Sequence, residues 1–447
     1  MASESKDDRG YAPKDRYRIV YIVLFMCGLG GLLPWNFFIN AQRYFDYKMR
    51  NRSLPNDTDY SDPKHMSPSQ VLFGSFIAVC SLVPFALMSV ANLFLMKWFN
   101  ARLRFIVGSV VVFLVFLITV IIVPIDVSAN AFLGITLFSV VLLNCGSALV
   151  QSSVFSTAAV LPSESMKAVL EGQAVSGVLA SVASIISIAA ASTPTASGMA
   201  YFLIALIFIA ISTVLFLMLP RNGYFRYYWK GRASANPNEG ESSIQRHHTD
   251  HNHHHSESLE PIVDRQPVGV LASMRETILP GFCVLLTLLV TLSVFPAVAA
   301  RIRPMNVIPG DKWTNIYFVP VLVFLSYNIC DWCGRTTGGL LKWPRRNQMR
   351  LVLALCILRF VLIPFCMFCN AQPRERLPVL FKHDVFPALL VIILGLTNGY
   401  LMTISMMHGP TFASPGNHES AGAALCIYLA LGLSSGVALS VGFVKAV

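Results

Sequence analysis

The chain has 447 residues, of which 55% are hydrophobic and only 13% charged, about half the roughly 25% charge of an ordinary soluble protein. A length that would suggest about three soluble domains therefore lacks the charge to coat them, and the outer surface is expected to face lipid. Lys and Arg outnumber Asp and Glu by 34 to 23; in a soluble chain the resulting +11 would raise the question of nucleic acid, but in a membrane chain basic residues also set orientation.

A helix that crosses a bilayer needs about 20 mostly apolar residues. Eleven such stretches follow one another, at 18–40, 70–97, 103–124, 131–160, 171–192, 197–219, 277–300, 314–341, 350–370, 384–407 and 421–446. The expected fold class is an all-α polytopic membrane protein. The first stretch follows a short terminus, residues 1–17, with Lys14, Asp15 and Arg16 ahead of it and Arg18 at its edge. No small-residue cleavage site comes after it, so the sequence predicts a retained helix and not a signal peptide. The next loop, 41–69, carries two glycosylation sequons, Asn51-Arg52-Ser53 and Asn56-Asp57-Thr58, which favour the extracellular or lumenal side.

Residues 220–276 form the one long interruption and divide a six-span half, 18–219, from a five-span half, 277–447. Its Ser, Asn and Glu, with His247, His248, His251, His253, His254 and His255, make a composition that cannot bury a core and is expected to be disordered. With the N-terminus inside, the inward segments hold 20 basic residues and the outward ones 12. That bias predicts a cytoplasmic N-terminus and His-rich loop, and eleven spans then leave the C-terminus outside. All ten cysteines lie within apolar stretches, so no disulfide framework is implied, and Cys330/Cys333 and Cys366/Cys369 read as small apolar packing residues.

An ionisable side chain inside a bilayer is costly and therefore a functional candidate. Away from the span ends there are three: Asp331, Arg335 and Arg359. Asp331 and Arg335 are four apart on the eighth span, where opposite charges share a helical face and can pair. Asn328 and Phe324 extend that face. Two readings stand for the pair, a structural lock on the bundle and a ligand site; Arg359, with no acid in its own span, reads as structural. Asn144, Ser147 and Gln151 recur at helical spacing on the fourth span, either facing a shared cavity or hydrogen-bonding between helices. In the first span, Pro34 precedes Trp35, which shares a face with Leu32 and Ile39; this tryptophan either stacks on a ring or marks the membrane interface. Pro84, Pro296, Pro320 and Pro364 are placed to kink further spans, and Gly172, Ser176 and Gly177 permit close packing of the fifth.

Other chemistries lack their residues. The His cluster has no midplane His and Asp set to pass a metal to, there is no phosphate-binding glycine loop for an ATP-driven pump, and no hydrolase constellation lies in a span. The basic residues have no aromatic interleave of the kind that grips nucleic acid. A polytopic enzyme or receptor holding a similar ligand would need a reactive constellation or a structured cytoplasmic domain, and the sequence offers neither.

The runs Gly30-Gly31-Leu32-Leu33-Pro34-Trp35-Asn36-Phe37-Phe38, Phe295-Pro296-Ala297-Val298 and Asn328-Ile329-Cys330-Asp331-Trp332-Cys333-Gly334-Arg335, with Gly172-Gln173, Arg221 through Tyr228 and Asn398-Gly399-Tyr400, resemble the equilibrative nucleoside transporters of the animal plasma-membrane type. The likeness covers nearly the whole chain. It implies a major-facilitator-like six-plus-five bundle of pseudo-symmetric halves, a central site, and downhill transport by alternating access of nucleosides such as adenosine and uridine. No cofactor, metal or obligate protein partner is implied beyond the lipid bilayer. Carried over by position, Asp331 and Arg335 would contact the ribose hydroxyls and Trp35 and Gln151 the base. Leu32, Ile39, Leu82, Phe85, Ser147, Phe324, Asn328 and Leu433 would line the cavity, with Phe295 and Pro296 near its outer closure. A carboxylate and a guanidinium suit vicinal hydroxyls, and an aromatic face and an amide suit a base.

Ser147 stands where inhibitor-sensitive members of that family usually have glycine, and Ile39 where they often have methionine, so weak sensitivity to nucleoside-analogue inhibitors is expected. No acidic dileucine signal precedes the first span, which favours the plasma membrane. Arg104 and Glu419, at the cytoplasmic ends of the third and eleventh spans, are expected to meet when an inner gate closes. The competing functional reading is a proton-coupled nucleoside or nucleobase carrier with Asp331 as acceptor, disfavoured if Arg335 holds that carboxylate charged.

Overall fold

The computed structural model describes residues 13–51, 66–190, 193–234, 270–374 and 376–447. Among these, eleven helices are long and apolar enough to cross a membrane: Arg16–Asn40, Pro68–Leu95, Ala101–Ile122, Ala129–Val160, Ser163–Ala189, Pro194–Arg221, Ile278–Arg301, Trp313–Leu341, Arg346–Met367, Val385–Phe412 and His418–Ala446. They are taken below as the first to eleventh spans. Strand-type pairing among the described residues is confined to one bridge, Ile302 with Ala371. The outer surface is lined with exposed Val, Leu, Ile and Phe, as a lipid-facing bundle requires, since lipid alone can cover so much apolar area.

Ten span positions agree with the sequence to within about five residues, and the exception is instructive. The fifth helix begins at Ser163, eight residues before the 171 expected, because Glu164, Lys167 and Glu171 make its first turns read as loop. Lys167 and Glu171 are instead buried, Nζ 3.7 Å from Oε1 one turn apart, and Tyr21 of the first span donates its hydroxyl to the same carboxylate. The buried charges among the described residues therefore extend beyond Asp331, Arg335 and Arg359 to Lys48, Arg104, Lys167, Glu171 and Glu419. Two pieces of the expected disordered linker are also helical, Gly223–Ser234 and Val270–Glu276. The first is held by Asn222, whose side chain accepts from the backbone of Tyr224 at 2.9 Å, and by Phe225, buried against the core. The His cluster and Asn56 lie outside the described residues.

The spans cross closely where side chains vanish. The eighth and tenth carry Gly334/Gly338 and Gly395/Gly399, two glycines four apart on each, and a Cβ on Gly399 would stand 2.0 Å from the Asp331 carbonyl oxygen. The first and fifth meet in the same way, with a Cβ on Gly172 falling 2.0 Å from the Phe25 carbonyl oxygen. With no hydrophobic drive between helices in lipid, such backbone approach is what holds a bundle together. Gly399→Ala is thus expected to part the eighth and tenth spans and to cost about 1–3 kcal/mol; an unchanged melting temperature of the detergent-purified variant would contradict this.

The halves meet along two seams, the fifth span against the eighth and the eleventh against the second and fourth. The eighth span opens as a π-helix, Trp313–Leu325, around Pro320 before becoming α-helical at Ser326. Proline removes an i→i−4 bond, and the wider turn absorbs the loss.

Candidate functional site

Asp331 and Arg335 are brought together as their spacing predicts. Arg335 Nε donates to Asp331 Oδ2 at 2.8 Å, and both side chains are buried. The pair does not close on itself. Arg335 Nη1 donates to the Leu170 carbonyl of the fifth span at 3.0 Å, which carries the contact across the seam between halves, and Asp331 Oδ1 accepts from Asn398 Nδ2 of the tenth span at 2.7 Å. Asp331 is thus an anion satisfied on both oxygens, each with acceptor capacity to spare, and the Arg335 guanidinium has donors beyond these two bonds.

The neighbouring positions are half-exposed where the charges are buried. Asn328 donates from Nδ2 to Ser181 Oγ of the fifth span at 2.9 Å and to the Phe324 carbonyl at 3.0 Å, so its amide ties the halves. Phe324 lies in the π-helical segment, edge-on to Phe295 with ring centroids 5.6 Å apart. Phe295, at the end of the seventh-span helix, stacks on Tyr327 at 3.9 Å, and Pro296 follows it, exposed.

In the other half, Trp35 is half-buried and parallel to Phe38 at 6.1 Å; Leu32 is half-buried and Ile39 exposed on the same face. Ser147 and Gln151 are half-buried one turn apart on the fourth span. Asn144, on the same helix, is buried and donates to the Val140 carbonyl of its own helix at 2.8 Å. Leu82 is half-buried, Phe85 is buried in the core, and Leu433 packs against that core. Candidate residues therefore come from the first, second and fourth spans on one side and the seventh, eighth and eleventh on the other, with the fifth span, packed on both the first and the eighth, at the centre.

Arg104 and Glu419, 315 positions apart, meet at 3.3 Å with both side chains buried. Arg104 also donates Nη1 to Asn92 Oδ1 at 2.8 Å and Nε to the Phe99 carbonyl at 3.2 Å. A second ion pair, Lys342 with Glu164, spans the halves at the same end of the bundle. The loop leading into Glu419 is pinned in turn: the Glu276 carboxylate accepts the Ser414 hydroxyl and the Ser414 amide, the latter at 3.0 Å. Hydrogen bonds from the Ser414 side chain and backbone hold that carboxyl below its usual range, because they favour the charged form. At the opposite end Asn51 is exposed just past the short helix Gln42–Lys48, as an acceptor for a glycan must be.

Two contributors escaped a reading by residue type: Asn398 and Thr291 are neutral polar residues in apolar spans. Arg359, singled out by its charge and read as structural, is buried on the ninth span and finds no acid; it donates Nε to Thr397 Oγ1 at 3.0 Å, Nη1 to the Thr287 carbonyl at 2.7 Å, and Nη2 to Thr291 Oγ1 at 2.8 Å and the Leu394 carbonyl at 3.2 Å. The sequence signal for Asn398 was its amide amid a run of Leu, Ile and Gly; nothing in the sequence links it to Asp331, 67 positions away.

Among the described residues no group of His, Cys, Asp or Glu could hold a metal ion. The backbone is similar to that of the major facilitator superfamily proton:xylose symporter XylE, with a TM-score of 0.59 at 12% identity over 94% of this chain and 87% of that one, and to the Escherichia coli fucose:proton symporter FucP, with a TM-score of 0.52 at 9% identity over 96% and 98%. At such identities the likeness is one of fold. The profile of the nucleoside transporter family matches residues 137–445. The sequence is 33% identical to equilibrative nucleoside transporter 3 of Rattus norvegicus over 95% of this chain and 89% of that protein, and 33% identical to equilibrative nucleoside transporter 2 of Homo sapiens over 97% and 98%. With a major-facilitator-like bundle, a buried Asp-Arg pair at the seam and this likeness along nearly its full length, the chain belongs to the equilibrative nucleoside transporter family.

Proposed function

We propose that this protein carries purine and pyrimidine nucleosides, adenosine and uridine among them, down their concentration gradient by alternating access between its two halves. The observation that carries the reading is the buried Asp331–Arg335 pair, which reaches the other half through the Leu170 carbonyl and keeps hydrogen-bonding capacity for a ligand. Asp331 and Arg335 bind the vicinal ribose hydroxyls, Trp35 and Gln151 the base, and Leu32, Ile39, Leu82, Phe85, Ser147, Phe324, Asn328 and Leu433 line the space. Phe295 and Pro296 close it on one side, the Arg104–Glu419 pair on the other. Transport is uncoupled in this reading, Asp331 being engaged on both oxygens, by Arg335 and by Asn398.

The protein works at the plasma membrane with its N-terminus cytoplasmic, its C-terminus extracellular and the loop 41–69 glycosylated at Asn51 and Asn56. Competition of labelled adenosine uptake by a panel of nucleosides and free nucleobases tests the substrate class: the nucleosides are expected to compete, and a panel in which none does would refute the reading. Because Ser147 and Ile39 add branched or polar bulk where inhibitor-sensitive relatives have glycine and methionine, block by nitrobenzylthioinosine is expected to need micromolar or higher concentrations. Inhibition of uptake at nanomolar concentration would contradict this.

A further inference from the structure

Beside the Asp331–Arg335 pair lies a further buried cation with no carboxylate of its own. Asp331 faces Arg335 directly, and Arg359 lies behind it with only neutral oxygens as direct partners, so two guanidinium groups share one carboxylate. A relay joins the distant one. Arg359 Nη2 donates to Thr291 Oγ1 at 2.8 Å, Thr291 Oγ1 donates to Asn398 Oδ1 at 2.8 Å, and Asn398 Nδ2 donates to Asp331 Oδ1 at 2.7 Å. The directions are set from the two ends. A guanidinium can only donate, so the threonine oxygen accepts from Arg359, and its own proton is shared between the Thr287 carbonyl at 2.9 Å and Asn398 Oδ1 at 2.8 Å. A carboxylate accepts, so the amide nitrogen of Asn398 is the end that faces Asp331 and its oxygen the end that faces Thr291. Three spans, the seventh, ninth and tenth, cooperate to present one oriented donor to a residue on the eighth.

We propose that Arg359 is a positioning residue for the substrate-binding carboxylate: through Thr291 and Asn398 it fixes the orientation of Asp331. The inference rests on the assignment of Asp331 to the ribose site. Loss of the Arg359 donors leaves the Thr291 hydroxyl and the Asn398 amide free to reorient, and with them the donor that holds Asp331 Oδ1.

The test uses the full-length protein in proteoliposomes, with labelled uridine as the probe, and follows KM and maximal rate. Wild type, Arg359→Gln, Arg359→Lys and Thr291→Val are compared. Arg359→Gln, which removes the guanidinium, should raise KM about tenfold, and Arg359→Lys and Thr291→Val, which disrupt the relay, several-fold, with the maximal rate changed less. If Arg359→Gln matches wild type in KM, whatever its maximal rate, the proposal is wrong. If that variant does not insert, wild-type KM values for Arg359→Lys and Thr291→Val together overturn it. Asp331→Asn serves as the separate control, since wild-type uridine KM in that variant would instead remove the ribose assignment on which the proposal rests.

Discussion

Asp331→Asn is expected to lower uridine uptake by a hundredfold or more while surface expression stays at the wild-type level. The substitution preserves shape and removes charge. Arg335 is then a buried cation whose nearest partners are the neutral Leu170 carbonyl and an amide, and Asn398 loses the carboxylate it donates to at 2.7 Å. Breaking a buried pair costs about 3–5 kcal/mol, and each 1.4 kcal/mol is tenfold in binding, so even part of that cost falling on the substrate-bound state gives the stated loss. Arg335→Ala should do the same from the other side, because it leaves Asp331 with Asn398 as its one neighbouring donor among these bonds. Surface biotinylation alongside uptake separates a lost site from a lost fold. If both variants reach the surface and transport uridine at the wild-type rate, the pair serves only to lock helices together.

Reversing Arg104 or Glu419 singly is expected to reduce transport at least tenfold, and reversing both should recover a substantial part of it. The two side chains sit 3.3 Å apart and buried, on the first turns of the third and eleventh spans, one from each half. Either reversal buries like charges against each other in a weakly screened setting, which opposes closure of that end of the bundle. Recovery is partial because Arg104 also holds Asn92 and the Phe99 carbonyl, which a glutamate cannot donate to. Uptake of the double variant no higher than that of the better single one would show that the pair plays no part in gating.

The spans were legible because a membrane helix needs only length and apolarity, and 18–40 or 131–160 supply both without interruption. The fifth helix was misplaced at its start for the converse reason: Lys167 and Glu171 look like loop residues until their pairing, and the covering of Lys167 by Gly339, is known. Helical spacing was enough to pair Asp331 with Arg335, since both lie on one element. It was not enough to find what Arg359 does, because its route to Asp331 runs through the seventh and tenth spans, and the crossing of the tenth on the eighth at Gly395 and Gly399 is a matter of packing. Asn144, in turn, spends its amide on the Val140 carbonyl of its own helix, a bond that spacing does not announce. Patterns within a span are thus written in the sequence, whereas the polar links between spans are fixed only by packing.

The most direct measurement is uridine uptake by the purified protein in sealed proteoliposomes, with and without an inward proton gradient. Uridine should enter until its internal concentration equals the external one, to the same level in both conditions. Accumulation above the external concentration when the gradient is imposed, or no uptake beyond protein-free vesicles, would contradict facilitative nucleoside transport.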